Sequence, residues 1–188
     1  AGRLMRRFGR GPLTGLGLVA IGLGMAGIAL VLDNPHYLVF AIPLVLIGGG
    51  DGVALTVASD TILAVAPKDR AGAASAVSET GYELGTALGI ALLGSVLTAI
   101  YQRSLALPPG LDAAVTKAAI ESPGGAYEAA PGLPAALGQA LEEAAHTAFQ
   151  HAMSVTTLVG AVVLFVGAVV AWWCLPGKLE PVEEMAAH

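Results

Sequence analysis

Four long apolar stretches dominate this sequence, at residues 13–32, 37–66, 71–101 and 152–175. A run of about 20 apolar residues is long enough to cross the roughly 30 Å hydrocarbon core of a bilayer as a helix. The first and last stretches contain no charged residue, and each of the other two contains only a pair of acidic residues. We therefore predict an all-α membrane protein with four transmembrane helices.

The composition excludes several other classes of protein. Charged residues make up 12% of the chain, about half of the share that soluble domains usually carry. The formal net charge of −5 does not suit a surface that binds nucleic acid. A single cysteine, Cys174, excludes an intramolecular disulfide and a multi-cysteine metal site. The histidines lack metal-ligand spacing, and no nucleophile–base arrangement is visible, so we expect neither an enzyme nor a bound metal or cofactor.

The basic residues between the stretches predict the orientation. They are Arg3, Arg6, Arg7 and Arg10 before the first stretch, Lys68 and Arg70 between the second and third, and Lys178 after the fourth. With four spans these three positions lie on one side, and positive charge favours the cytoplasm. We predict cytoplasmic loops at 1–12 and 67–70, a cytoplasmic tail at 176–188, and a location in the bacterial inner membrane.

The acidic segment 102–151 is then an extracellular loop, which we interpret as a solvated cover. Its alanine-rich parts, 111–121 and 134–150, predict two surface helices, the second running into the fourth span. Residues 122–125 and 130–132 contain Pro-Gly or Ser-Pro turns and are predicted to break these helices. Because the chain starts without methionine and with a basic, loop-like segment, we expect it to begin inside a longer protein.

Two acids in the third stretch point most directly to function. Glu79 and Glu83 are four residues apart and share one helix face, with Glu83 roughly 16 Å below Gly72 along the helix axis. Burial and the neighbouring charge disfavour two ionised carboxylates, so we expect at least one to be protonated when the site is empty. A cation entering there would favour ionisation and release the proton. The alternative is that both acids pair structurally with other helices.

The same helix carries a glycine ridge. Gly81, Gly85 and Gly89 repeat every four residues, a pattern that lets helix backbones approach closely in lipid. At about 100° per residue, the ridge points roughly 140° away from the acids. We therefore predict one face for helix packing and another for chemistry.

The second stretch contains two further acidic residues. Asp51 lies among four glycines, at residues 48–52, which suggests a flexible or unwound segment lining a cavity; a helix kink capped by the aspartate is the alternative. Asp60 lies near the end of the helix that disfavours negative charge. We predict that it pairs with Arg70 or a loop arginine such as Arg7 or Arg10, in a structural or gating role.

Three parts of the chain carry a family resemblance. Gly2–Arg10 resembles a superfamily loop pattern, G-x-L-x-D-R-x-G-R, with Arg6 in place of the usual aspartate. The second part combines residues 50–52, 59–63 and 66–72, and the third and most specific runs from Ala74 to Gly85, continuing to Gly89 and 94–95. Together they resemble the fourteen-helix drug:proton antiporters of the major facilitator superfamily (QacA/SmvA/EmrB-like).

This resemblance implies the C-terminal part of a major facilitator superfamily bundle, its last four helices. It implies proton-coupled export of lipophilic cationic drugs, with the lipid bilayer, protons and the missing N-terminal helices as partners. Two alternatives stay open. One is export of a neutral antibiotic or metabolite on the same fold, and the other is a four-helix membrane protein that assembles through its glycine ridge.

Overall fold

A computed structural model describes residues 9–32, 37–67 and 70–175, and this part of the chain is helical, without strands. The elements are α1 (Arg10–Val31), α2 (Tyr37–Val65), α3 (Ala71–Ser104), α4 (Ala113–Glu121), α5 (Pro123–Ala129), a 3₁₀ turn (Ala130–Gly132) and α6 (Ala135–Cys174). Helices α1, α2, α3 and α6 are long and apolar enough to cross a membrane. The predicted all-α class with four membrane-spanning helices is confirmed.

Two predicted boundaries need correction. Helix α1 begins at Arg10 rather than Leu13, since a proline in the first turn, Pro12, removes only an N–H that would have no helical partner. The predicted break at 122–125 is present but shorter: extended Ser122 separates α4 from α5, and the next three residues begin α5. The Ser122 hydroxyl accepts a hydrogen bond from Gly125 N–H at 3.0 Å, and Pro123 occupies the first helical position. This is the preferred position for proline in a helix.

The predicted unwinding around Asp51 is also wrong. Helix α2 continues without interruption through Pro43 and the four glycines. Gly50 is buried, and a Cβ there would lie 2.5 Å from the carbonyl oxygen of Gly17 on α1. Apart from the neighbouring backbone of their own helix, Gly48, Gly49 and Gly52 have no described atom within 4 Å of their Cβ positions. One glycine of the cluster therefore serves helix packing, and the helix geometry is retained.

The described chain divides into two compact units, the first formed by residues up to 89 together with those from 158 onwards. In this unit α1 lies between two helices. Gly17 and Gly24 contact α2, while Gly11, Gly15 and Gly22 contact α6. At about 100° per residue, these two sets point roughly 150° apart. Glycine on both faces lets the backbone of α1 approach both neighbours, as helices in lipid require for tight packing.

The second unit, residues 90–157, has an apolar core of its own. Ala119, Ala126, Leu141 and Ala145 are fully buried, and leucines from the connecting segments pack around them. Tyr101, Ala148 and Ala152 form a second buried cluster. The acidic segment 102–151 thus folds together with the adjoining parts of α3 and α6 into a compact unit, which we call the cap.

Side chains at the end of α3 complete the hydrogen bonding of α4. The carbonyl of Ala119 would normally accept from the N–H of residue 123, but Pro123 has none. The Tyr101 hydroxyl donates to that carbonyl instead, at 2.8 Å, and Gln102 Nε2 donates to the carbonyl of Ile120 at 3.3 Å. Two of the last carbonyls of α4, which have no helical donors, are thus satisfied by side chains of α3.

Tyr101→Phe should therefore destabilise the cap by about 1–3 kcal/mol, the usual effect of leaving a buried carbonyl without its donor. Hydrogen exchange of the amides in α4 and α5 measures this directly, and protection should fall there. Tyr127→Phe is the matched control, because Tyr127 lies in the same cap but is 42% exposed. Equal protection in the two variants would contradict the assigned role of the Tyr101 hydroxyl.

Candidate functional site

An ion pair joins the start of α1 to the end of α2. A guanidinium nitrogen of Arg10 donates to the carboxylate of Asp60 at 3.1 Å. Arg10 is the first residue of α1 and Asp60 lies in the last two turns of α2. The structure thus gives Asp60 a partner among the arginines proposed for it. Arg7 lies outside the described residues, and the backbone N–H of Arg70 donates to the Pro67 carbonyl just before α3.

The ion pair offsets two unfavourable interactions between a charged side chain and a helix dipole. A positive charge at a helix N-terminus and a negative charge near a C-terminus both oppose the helix dipole. Arg10 and Asp60 occupy these two positions on neighbouring helices, so each offsets the other's unfavourable interaction. Because the Asp60 side chain is 49% exposed, solvent screening limits the pair to about 1 kcal/mol or less.

Asp51 is exposed midway along α2. It follows buried Gly50 and lies one helical turn after Ile47, which contacts α1. The hydroxyls of its own helix are satisfied locally: Thr56 donates to the Gly52 carbonyl at 2.6 Å and Thr61 to the Val57 carbonyl at 2.6 Å. In contrast, the Asp51 carboxylate makes no hydrogen bond or ion pair with another described residue.

Glu79 and Glu83 share one exposed face of α3. Between them Thr80 donates its hydroxyl to the Ala76 carbonyl at 2.8 Å, so that hydroxyl is used by its own helix. Neither glutamate is engaged in an ion pair or a side-chain hydrogen bond within the described part of the chain. The structure does not bring them into contact with Asp51. It places three carboxylates on two long apolar helices, with no protein cation bonded to them among these residues.

The glycine ridge on α3 has an open environment. Apart from the neighbouring backbone of α3 itself, Gly81, Gly85 and Gly89 have no described atom within 4 Å of their Cβ positions. Their role in helix packing therefore stays a prediction, because no helix among the described residues contacts them. Within the first unit, the close glycine contacts among the described residues are instead on α1 and α2.

Comparison with known protein families identifies the family of this chain. The sequence profile of the Major Facilitator Superfamily matches residues 1–109, more than half of the chain. The chain belongs to the major facilitator superfamily. Membership of this superfamily indicates a transporter rather than an enzyme, and the four long apolar helices support a multi-pass membrane protein.

Three curated relatives refine the comparison. The multidrug efflux pump LfrA of Mycolicibacterium smegmatis is 39% identical over 165 residues, 88% of this chain and 33% of LfrA. The methyl viologen resistance protein SmvA of Salmonella typhimurium is 33% identical over 176 residues, 93% of this chain and 35% of SmvA. The transporter YebQ of Escherichia coli is 33% identical over 97 residues, 52% of this chain and 21% of YebQ. The chain spans about a third of the length of LfrA and SmvA.

The sequence analysis did not identify the glycines through which α1 packs against α2 and α6. Gly11, Gly15 and Gly22 line one face of α1, and Gly17 and Gly24 line another. These glycines are spaced four or seven residues apart within the first apolar stretch, a pattern that indicates a packing face. The pattern does not stand out because the chain contains 25 glycines, and spacing alone does not show which of them contact another helix.

Proposed function

We propose that this chain is the C-terminal portion of a proton-coupled multidrug efflux transporter that exports lipophilic or quaternary-ammonium cations by alternating access. The observation that carries the proposal is the pair Glu79 and Glu83 on one face of a helix suited to span a bilayer. An acidic residue in a membrane span is costly, by about 2.5–3.5 kcal/mol at the bilayer centre for an aspartate. A function that requires the charge accounts for its presence.

The proposed mechanism is competition for the same carboxylates. With the site empty and closed to water, a proton neutralises at least one of the two acids, because a second negative charge nearby is unfavourable. A lipophilic cation stabilises the ionised pair and displaces the proton. Protons returning to the cytoplasm down their concentration gradient then drive the cation outward, and the membrane potential contributes about 2.3 kcal/mol per 100 mV for each positive charge returned in excess of the charge exported. The names of LfrA and SmvA, an efflux pump and a methyl viologen resistance protein, support this substrate class.

Cation binding should therefore release protons. We expect the purified full-length transporter, in weakly buffered detergent solution with a pH indicator, to release about one proton per bound quaternary-ammonium dication. The Glu79→Gln, Glu83→Gln double variant should release none. Cation binding without proton release, at an affinity that does not change with pH, would contradict the coupling. It would show that cation binding does not require these carboxylates to ionise.

The proposed orientation places both ends of the chain in the cytoplasm and the folded cap outside, because the arginines and lysines flank the short connections. In a full-length protein lacking other cysteines, with exposed Cys174 replaced by alanine, Gly124→Cys should react with an impermeant maleimide from outside. Ser78→Cys, near the other end of α3, should react only from the cytoplasmic side. Modification of the Gly124→Cys variant from the cytoplasm would overturn this topology.

A further inference from the structure

One aromatic residue lies beside the two acids on α3. Tyr82 is the single aromatic residue between Ala71 and Ile100, and it is 52% exposed. It lies three residues after Glu79 and directly before Glu83. Residues three or four apart are neighbours on a helix surface, with Cβ atoms about 5–6 Å apart. At about 100° per residue, the three side chains fall within a sector of about 100°, with Tyr82 and Glu83 on either side of Glu79.

The depth of Tyr82 is unusual for a tyrosine in a membrane span. Tyr82 lies ten residues after Gly72, which is about 15 Å along a helix axis, or half of the hydrocarbon thickness. Tyrosine is instead enriched at the membrane–water interfaces, where its polar end reaches water. The Tyr101 hydroxyl on the same helix donates to the Ala119 carbonyl, whereas the Tyr82 hydroxyl makes no hydrogen bond with the described residues. Neither interfacial anchoring nor an observed hydrogen bond therefore accounts for Tyr82.

An aromatic ring next to carboxylates favours one kind of cation. A carboxylate attracts every cation, and it binds primary ammonium groups through charge-assisted hydrogen bonds. A quaternary ammonium group has no N–H to donate, and its charge is spread over the carbon atoms bonded to nitrogen. The face of an aromatic ring attracts such a group electrostatically, and the attraction is stronger where water is excluded. A ring beside the acids therefore favours a quaternary cation.

Charge complementarity identifies the occupant of this face. Neither Glu79 nor Glu83 has a protein cation bonded to it in the part of the chain that the structure describes. We propose that Tyr82 is a specificity-determining residue, whose ring contacts the cationic group bound by the two acids and selects quaternary-ammonium cations over primary amines. The proposal rests on the proposed function, because it takes Glu79 and Glu83 as the cation site.

Two dications of equal length test this selectivity. Decamethonium and 1,10-diaminodecane share a ten-carbon chain, and their ends are quaternary and primary ammonium groups respectively. In the purified full-length transporter, Tyr82→Leu should weaken decamethonium binding about tenfold, a change equivalent to 1.4 kcal/mol. Binding of the diamine should change by less than about twofold, because its hydrogen bonds to the carboxylates remain. Tyr127→Leu makes the same change at a 42% exposed position of the cap, and both dications should bind this variant like the parent protein.

Ring fluorination keeps the proposal testable even if Tyr82→Leu fails to fold. Tyr82→Phe retains the aromatic face and should restore most of the decamethonium affinity. A tetrafluorinated phenylalanine at position 82 has nearly the same shape but a less negative ring face, so its affinity should again be about tenfold lower. Equal weakening of both dications in Tyr82→Leu, or an affinity that fluorination does not change, would overturn the proposal.

A further measurement separates this proposal from the proposed function. If decamethonium releases protons from the parent protein but binds Tyr82→Leu equally well, the role of Tyr82 is wrong and the coupling by the acids stands. If the Glu79→Gln, Glu83→Gln double variant binds decamethonium like the parent protein, the acids are not the cation site. That result would overturn both.

Discussion

Glu83→Gln in the full-length transporter is expected to abolish resistance to dicationic dyes, reducing it to the level of cells without the transporter. Glutamine keeps the size and the hydrogen-bonding oxygen of glutamate but cannot ionise or carry the exchanged proton. Because Glu83 makes no ion pair or side-chain hydrogen bond with the described residues, its loss breaks no observed contact. Membrane insertion and expression should therefore be unchanged. The measurement is growth in a series of dye concentrations, with the protein quantified in isolated membranes.

Two controls separate ionisation from side-chain shape. Glu83→Asp retains a carboxylate and should keep part of the resistance. Glu128→Gln makes the same chemical change at an exposed position of the cap and should keep all of it. Full resistance in Glu83→Gln would remove Glu83 from the mechanism, and loss of the protein from the membrane would show that the acid is structural.

The membrane spans could be predicted from the sequence because the bilayer fixes the length of the apolar run that crosses it. A helix that crosses it needs about 20 apolar residues, and residues 13–32 and 152–175 meet this rule without a charge. The family resemblance around Ala74–Gly85 likewise needed no three-dimensional information. The profile match agrees with this resemblance at the level of the major facilitator superfamily.

Helix neighbours could not be predicted in the same way. The glycines at 48–52 and those at 81, 85 and 89 look alike in sequence, yet among these only Gly50 lies against another helix within the described residues. A small residue permits close approach, but which helix approaches is determined by the whole bundle. For the cap, an alanine-rich sequence indicated helices but not the core that forms when Ala119, Ala126 and Ala145 meet Leu141.

The crossing of α1 and α2 should be intolerant of a single added methyl group. Gly50→Ala would place its Cβ 2.5 Å from the Gly17 carbonyl oxygen and 2.8 Å from Cγ1 of Ile21. Backbone atoms cannot rotate away, so the helices must separate, and the contact of Gly24 with Pro43 and Ile47 is weakened with them. Overpacking of this kind costs about 1–3 kcal/mol. Thermal unfolding of the purified protein in detergent should show a lower midpoint.

Gly49→Ala, one residue away, should change the midpoint of thermal unfolding in the opposite direction. Its Cβ has no neighbour within 4 Å among the described residues, so the substitution adds no clash with them. Replacing glycine by alanine inside a helix is favourable by about 0.5–1 kcal/mol, which should raise the midpoint. Both variants gain the same helix propensity, so the difference between them isolates the contact with Gly17. Equal shifts in the two variants would mean that α1 and α2 do not meet at Gly50.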